Sequence, residues 1–243
     1  MSSPPYIYSP YRSAHALSRV TIILLIAGAV GSGVIALSEV AQIFTPEFAG
    51  PEISDNPAGF AVMMLHALFT LLGALIFIAT AVVFLMWLHR SSKNLPAFGQ
   101  WNTPGHSAAW AVGSYFLPIA NLFMPYQAIK EIWQKSRPSE SQSFSFSNSP
   151  PGFFPAWWGF WLASNFATNI YFRMSGAAIG REPVALVGIL SEVLSIIAAA
   201  LAIQVVKDID RRQQESINHV APGLQAPGPP PPPVFTEGTV PRA

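Results

Sequence analysis

The chain contains no cysteine. That absence excludes a disulfide framework, a thiolate metal site, a haem-attachment motif and a cysteine nucleophile. Charge is nearly as scarce, at 10% of the 243 residues against 51% hydrophobic, where a soluble domain carries about 25% charged residues. The formal net charge of +1 leaves no concentrated basic surface of the kind phosphate binding needs, so no nucleic acid is expected as a partner. The first twenty residues hold Tyr6, Tyr8, Tyr11 and prolines in place of a basic stretch and a cleavable apolar one. The first apolar run is therefore expected to stay as an anchor. Also missing are a Gly-Lys-Ser/Thr phosphate loop, a His-Glu-x-x-His pair and a Gly-x-Ser-x-Gly elbow. Neither enzymatic chemistry nor a cofactor is expected.

Long apolar runs dominate what is present. Four of them, Val20–Phe44, Phe60–Leu88, Phe154–Phe172 and Val184–Val206, are long enough to cross about 30 Å of hydrocarbon as helices. A fifth stretch, Ser107–Tyr126, is apolar but is broken by Pro118 and Pro125, with Asn121 between them. Lysine and arginine decide its status. If it does not cross, eleven of the 13 basic residues lie on one side, with only Arg173 and Arg181 opposite; if it crosses, the split is six to seven. The positive-inside rule favours the first arrangement, with both termini cytoplasmic. The acidic loop Thr45–Gly59 would then face outward, and Trp87, Trp133, Trp157 and Trp158 would lie near the cytoplasmic interface.

The expected fold class is all-α, an integral membrane helical bundle of four transmembrane helices with a central re-entrant or interfacial amphipathic segment over 107–135. In that segment Leu122, Tyr126, Ile129 and Trp133 recur at helical spacing, while Gln127, Lys130, Glu131 and Gln134 fall opposite. Such a pattern suits a helix lying along the inner leaflet. An N-terminal arm over 1–19 precedes the membrane domain of 20–206. The 207–243 tail, with its Pro229–Pro233 run, is expected to be flexible or extended, as is the Ser-rich Arg137–Pro151 stretch.

One long run carries a resemblance. It comprises Trp87-Leu88-His89-Arg90, then Asn94-Leu95-Pro96-Ala97-Phe98-Gly99 and Pro104-Gly105. It continues through Trp110 to Leu122, which contains Tyr115-Phe116-Leu117-Pro118-Ile119-Ala120-Asn121, then Pro125-Tyr126-Gln127 and Glu131-Ile132-Trp133. With its flanking spans, roughly 61–207, it resembles a bacterial multipass membrane family, domain of unknown function 4328. The resemblance implies a signature segment on the cytoplasmic side, with His89, Arg90, Asn94, Pro96, Pro118, Asn121, Pro125, Tyr126 and Trp133 as its candidate functional residues. It transfers no activity and no catalytic residue.

Ionisable side chains within a span are costly and are by default functional candidates. Glu39, His66 and Glu192 would sit at depths differing by only about 5 Å, and Asn165 could join their layer. Two carboxylates and an imidazole there could hold a divalent cation, relay a proton or receive a cationic ligand. The simpler account is hydrogen bonding across helices, with Gly28, Gly31, Gly33 and Gly73 allowing close approach. The basic residues beside the second span and the central segment could touch anionic lipid heads or a partner. Expected partners are the lipid bilayer and a cytoplasmic or membrane protein; nothing in the sequence sets an oligomeric state. The function expected is that of a membrane-embedded interaction or regulatory module, with a small transporter or channel-like protein as the alternative.

Overall fold

The computed structural model describes residues 11–45, 56–98, 107–137, 149–177 and 180–224, with side chains to residue 218 in the last stretch. Most of the acidic loop with its three carboxylates, the Pro104-Gly105 motif, most of the Ser-rich stretch and the proline run lie outside the described residues. Four long helices carry the fold: α1 (His15–Phe44), α2 (Pro57–Lys93), α5 (Phe153–Ser175) and α6 (Arg181–Leu224). Between α2 and α5 lie α3 (Ala108–Gly113), α4 (Met124–Lys135) and three short 3₁₀ turns. No strand occurs among the described residues, so the architecture is all-α.

Local chemistry sets the boundaries. The Asn56 side chain accepts from the Ala58 and Gly59 amides at 3.1 and 3.2 Å. Pro57 follows at the first helical position, where its missing N–H is not needed. Arg90 and Lys93 sit in the last turn of α2, against the negative end of its dipole. Ser107 caps α3 by accepting from the Trp110 amide at 3.1 Å. Pro118 falls in the turn between two 3₁₀ pieces, and Pro125 opens α4.

The long helices run antiparallel in pairs, α1 with α2, α1 with α6 and α5 with α6. Residues 12–15, 87–94, 153–158 and 205–213 share one end, here the capped end. Residues 38–39, 66, 171 and 188–192 share the far end. Along its length the bundle shows its apolar side chains outward, among them Ile23, Ile26 and Val30 on α1, Leu71 and Leu75 on α2, and Leu186 and Leu190 on α6. Its interior positions there are small: Gly31, Ser164, Ala167, Ser191, Ala198 and Ala202. Outward bulk with inward small residues suits a bundle whose surroundings are hydrocarbon. Of the four glycines expected at helix contacts, only Gly28 and Gly31 meet a neighbour, Ile76 and Phe69; Gly33 and Gly73 face open space.

Three expectations need correction. Three helices, α1, α2 and α6, are long and apolar enough to cross a membrane, where four were expected. Helix α5 has the length, but Trp157, Trp158, Trp161, Asn165 and Asn169 reduce its apolarity. The tail does not begin at 207. Helix α6 continues to Leu224, because Val205, Val206, Ile209, Gln213 and Ser216 keep one buried face at helical spacing. Finally, α4 does not offer its apolar face to lipid. Pro125, Ala128, Ile129, Ile132 and Trp133 are buried against the protein, and the four tryptophans expected at an interface lie inside one hydrophobic core with Leu88, Phe98, Phe154 and Ile209.

Candidate functional site

The central segment folds back over the capped end of the bundle and is fastened there by side chains remote in sequence. Asn94 is the first fastening. Its side-chain oxygen accepts from the Arg12 amide at 3.1 Å, and its side-chain nitrogen donates to the Arg12 carbonyl at 3.0 Å and to Gln213 Oε1 at 3.1 Å. Gln213, only 1% exposed, in turn donates to the Ser91 carbonyl at 2.9 Å and to Ser136 Oγ at 3.2 Å. Ser216 donates to the Ser136 carbonyl at 2.6 Å. One buried polar chain thus joins residue 12, the end of α2, the end of α4 and α6. Every buried amide that it pairs would otherwise go unsatisfied.

Trp133 is the second fastening. Its indole N–H donates to Asp208 Oδ2 at 2.6 Å, and its ring lies 3.5 Å from the Arg212 guanidinium. Arg211 and Arg212 both pair with Asp208, Arg212 at 3.4 Å. Burial works against ionising Asp208, but Trp133 and the two arginines outweigh it and hold its carboxyl below the ordinary value of 3.8. This residue lies beyond the apolar run of α6, which ends at Val206.

The remaining signature residues shape the cap. His89 Nδ1 donates to the Ala108 carbonyl at 3.3 Å and fixes the start of α3, while Arg90 reaches the Ser13 carbonyl at 3.5 Å. Pro96 lies in a 3₁₀ turn whose Leu95 and Phe98 are buried. Near Pro118 the chain turns with the Asn121 amide on the Leu117 carbonyl at 2.7 Å, and Asn121 Oδ1 is buried without a partner among the described residues. Trp158 donates to the Leu122 carbonyl at 2.9 Å, tying this turn to α5. Phe116 and Ile119 project from it, 72% and 80% exposed. A cleft of about 520 Å³ opens beside it, lined by Tyr126, Gln127, Lys130, Glu131, Gln134 and Trp158 among others.

The far end holds a second polar group. Ser38 donates to the Ile35 carbonyl at 2.7 Å, and its oxygen lies 2.7 Å from His66 Nδ1. His66 Nε2 lies 3.9 Å from Glu39 Oε1. Tyr171 donates to the same carboxylate at 3.2 Å, and Glu192 hydrogen-bonds Ser32 within electrostatic reach of both Glu39 and His66. Glu39, His66 and Glu192 are therefore brought together. Asn165 is not, since it donates to the Trp161 carbonyl of its own helix at 2.7 Å. Tyr171 fills that role instead. No three acidic or histidine side chains converge as metal ligands among the described residues.

Sequence reasoning missed Gln213 and Tyr171. Gln213 had a signal, being four residues beyond Ile209 on a continuing face. Tyr171 had none beyond lying one residue from the expected end of a span.

The fold and these two polar groups define a class: an all-α bundle with three helices able by length and composition to cross a membrane. The chain belongs to the family Domain of unknown function (DUF4328), whose model matches residues 55–211. The match takes in most of the cap and the whole far-end group except the part on α1. No curated protein and no solved structure matches the chain.

Proposed function

We propose that the chain is a four-span protein of a bacterial inner membrane, with both termini cytoplasmic, acting as an interaction or regulatory module through its cap. Support for the fourth span comes from register. Phe154 lies level with Asp208 through Trp133, and Tyr171 lies against Gly188, so α5 accompanies α6 along roughly 25–30 Å of its apolar length. That distance matches the roughly 30 Å thickness of a bilayer's hydrocarbon core. Asn165 and Asn169 are tolerated because each donates to a carbonyl of its own helix, and Trp161 stacks on Trp158.

The observation that carries the functional reading is the cap itself. The family's segment spends its polar side chains on holding an ordered platform at the membrane surface, and the platform leaves an open cleft with Gln127, Lys130 and Gln134 on its wall. A cleft lined by both aromatic and polar side chains suits a protein segment from the cytoplasm. A photo-crosslinking residue at Gln127, in living cells, is expected to give one discrete protein adduct that disappears with Trp133→Ala. A crosslinker at Leu71, on the outward face of α2, should give lipid alone. Equal adducts at both positions, or survival with Trp133→Ala, contradict the reading.

A second reading has its own observation. With Ser38 donating to Ile35, its oxygen accepts from His66 Nδ1–H, so Nε2 faces the Glu39 carboxylate at 3.9 Å. That arrangement suits proton-linked transport. Replacing Glu39, His66 and Glu192 together by Gln would abolish proton flux in liposomes under this reading and leave the crosslinked adduct unchanged under the first.

A further inference from the structure

A second cleft, of about 510 Å³, lies between the start of α1 and the polar continuation of α6. Its lining includes Arg19, Lys207, Arg211, His15, Asp210 and Ile22. Three cations thus face one carboxylate, and that carboxylate is already engaged, since His15 Nδ1 meets Asp210 at 2.7 Å. Arg211 leans on Asp208. Arg19 and Lys207 are exposed, and neither has an ion-pair partner among the described residues. Both stand at a composition boundary. Arg19 immediately precedes the apolar run of α1, and Lys207 immediately follows that of α6. Directly beyond them the surface is hydrocarbon-like, with Ile22 half-buried and Ile23 and Ile26 exposed.

We infer that this cleft binds the headgroup of an anionic phospholipid, its phosphodiester on Arg19 and Lys207 and its acyl chains along Ile22, Ile23 and Ile26. The chemistry supports a lipid over a water-soluble anion because the cationic rim and the apolar wall are continuous, as in basic pockets between membrane helices. The guanidinium of Arg19 offers paired donors to two phosphate oxygens, and Lys207 adds a point charge. A zwitterionic headgroup would bring its own cation beside these two and lose the advantage. The inference rests on the membrane-embedded reading but not on any functional role for the cap.

The test uses the full-length protein in detergent micelles doped equally with phosphatidylglycerol and phosphatidylcholine, with retained lipid counted by native mass spectrometry. One phosphatidylglycerol should be retained preferentially, and Arg19→Gln with Lys207→Gln should lower that preference at least about tenfold. The control pair Arg12→Gln with Lys93→Gln removes the same charge from the same end outside the cleft and should leave the preference intact. Each exposed substitution made singly should give part of the loss, which guards against a misfolded double variant. Equal retention of both lipids overturns the inference, as does an equal effect of the control pair. Displacement of the lipid by about 10 mM inorganic phosphate would assign the site to free phosphate and overturn it too. Resistance of the wild type to alkaline carbonate extraction is scored separately: extraction would sink the membrane reading, whereas an inserted protein without lipid preference sinks only this inference.

Discussion

The indole N–H of Trp133 donates to Asp208 at 2.6 Å across 75 positions of sequence. This bond joins α4, which the sequence pattern presents as a membrane-surface helix, to the part of α6 that composition presents as a flexible tail. Both became structured because each supplies what the other lacks: a buried carboxylate needs donors, and a buried indole needs an acceptor.

Trp133→Phe keeps a ring beneath Arg212, removes the donor and leaves the space of the pyrrole half unfilled, so its cost is at least that of the hydrogen bond. Hydrogen bonds to charged groups are worth about 1.5–3 kcal/mol, and a loss of at least that size is expected in reversible unfolding by detergent titration. Asp208→Asn should cost a similar amount. The double variant should cost clearly less than the two together, because both remove one interaction.

The same carboxylate predicts a pH dependence. Asp208 is held below its ordinary value of 3.8 in the folded protein, so its contribution to stability is present above that value and lost as pH falls through the depressed one. Melting temperatures between about pH 6 and pH 3 should therefore drop on the acid side. Asp208→Asn should flatten that drop; an unchanged acid limb would mean that other carboxylates govern it.

Asn94→Ala removes the partner of the Arg12 amide and carbonyl and of Gln213. Leaving several buried groups unpaired should cost on the order of 3 kcal/mol. It should also free the segment before α1, so that trypsin cuts after Arg12 faster than in the wild type. Gln213→Leu, similar in size, should reproduce part of both effects.

A Cβ at Gly188 would stand 3.0 and 3.2 Å from the Tyr171 ring and 3.5 Å from Glu39 Oε1. Gly188→Ala must push Tyr171 away from the carboxylate and should destabilise by about 1–3 kcal/mol. Gly33→Ala, facing open space, should be neutral or mildly stabilising. A thermal-stability comparison of the two separates packing from helix propensity.

Much of the fold was legible in the sequence because span length and apolarity are read directly from residues such as those of 20–44 and 184–206. The grouping of Glu39, His66 and Glu192 was legible as well, since depth along antiparallel helices follows from counting residues. Less legible was the way α4 packs. Ile129 and Trp133 lie on an apolar face whether it meets lipid or protein, and only the distant Asp208 and Val206 decide between them. Asn165 illustrates the same limit: its depth was countable, but depth does not decide whether the side chain reaches another helix or bonds back to the Trp161 carbonyl one turn earlier on its own. The continuation of α6 was hidden by its polarity, because Asp208, Arg211 and Arg212 read as tail composition until their ion pairs are seen.

The central claim is that α5 crosses the membrane and leaves the cap on the cytoplasmic side. With no native cysteine, Ser149→Cys and Ala177→Cys place single thiols at exposed positions on either side of α5. Each is labelled with a membrane-impermeant maleimide in intact spheroplasts and again after permeabilisation. The account predicts labelling at 177 in intact spheroplasts and at 149 only after permeabilisation. Labelling of both in intact spheroplasts, or at 149 alone, would contradict it.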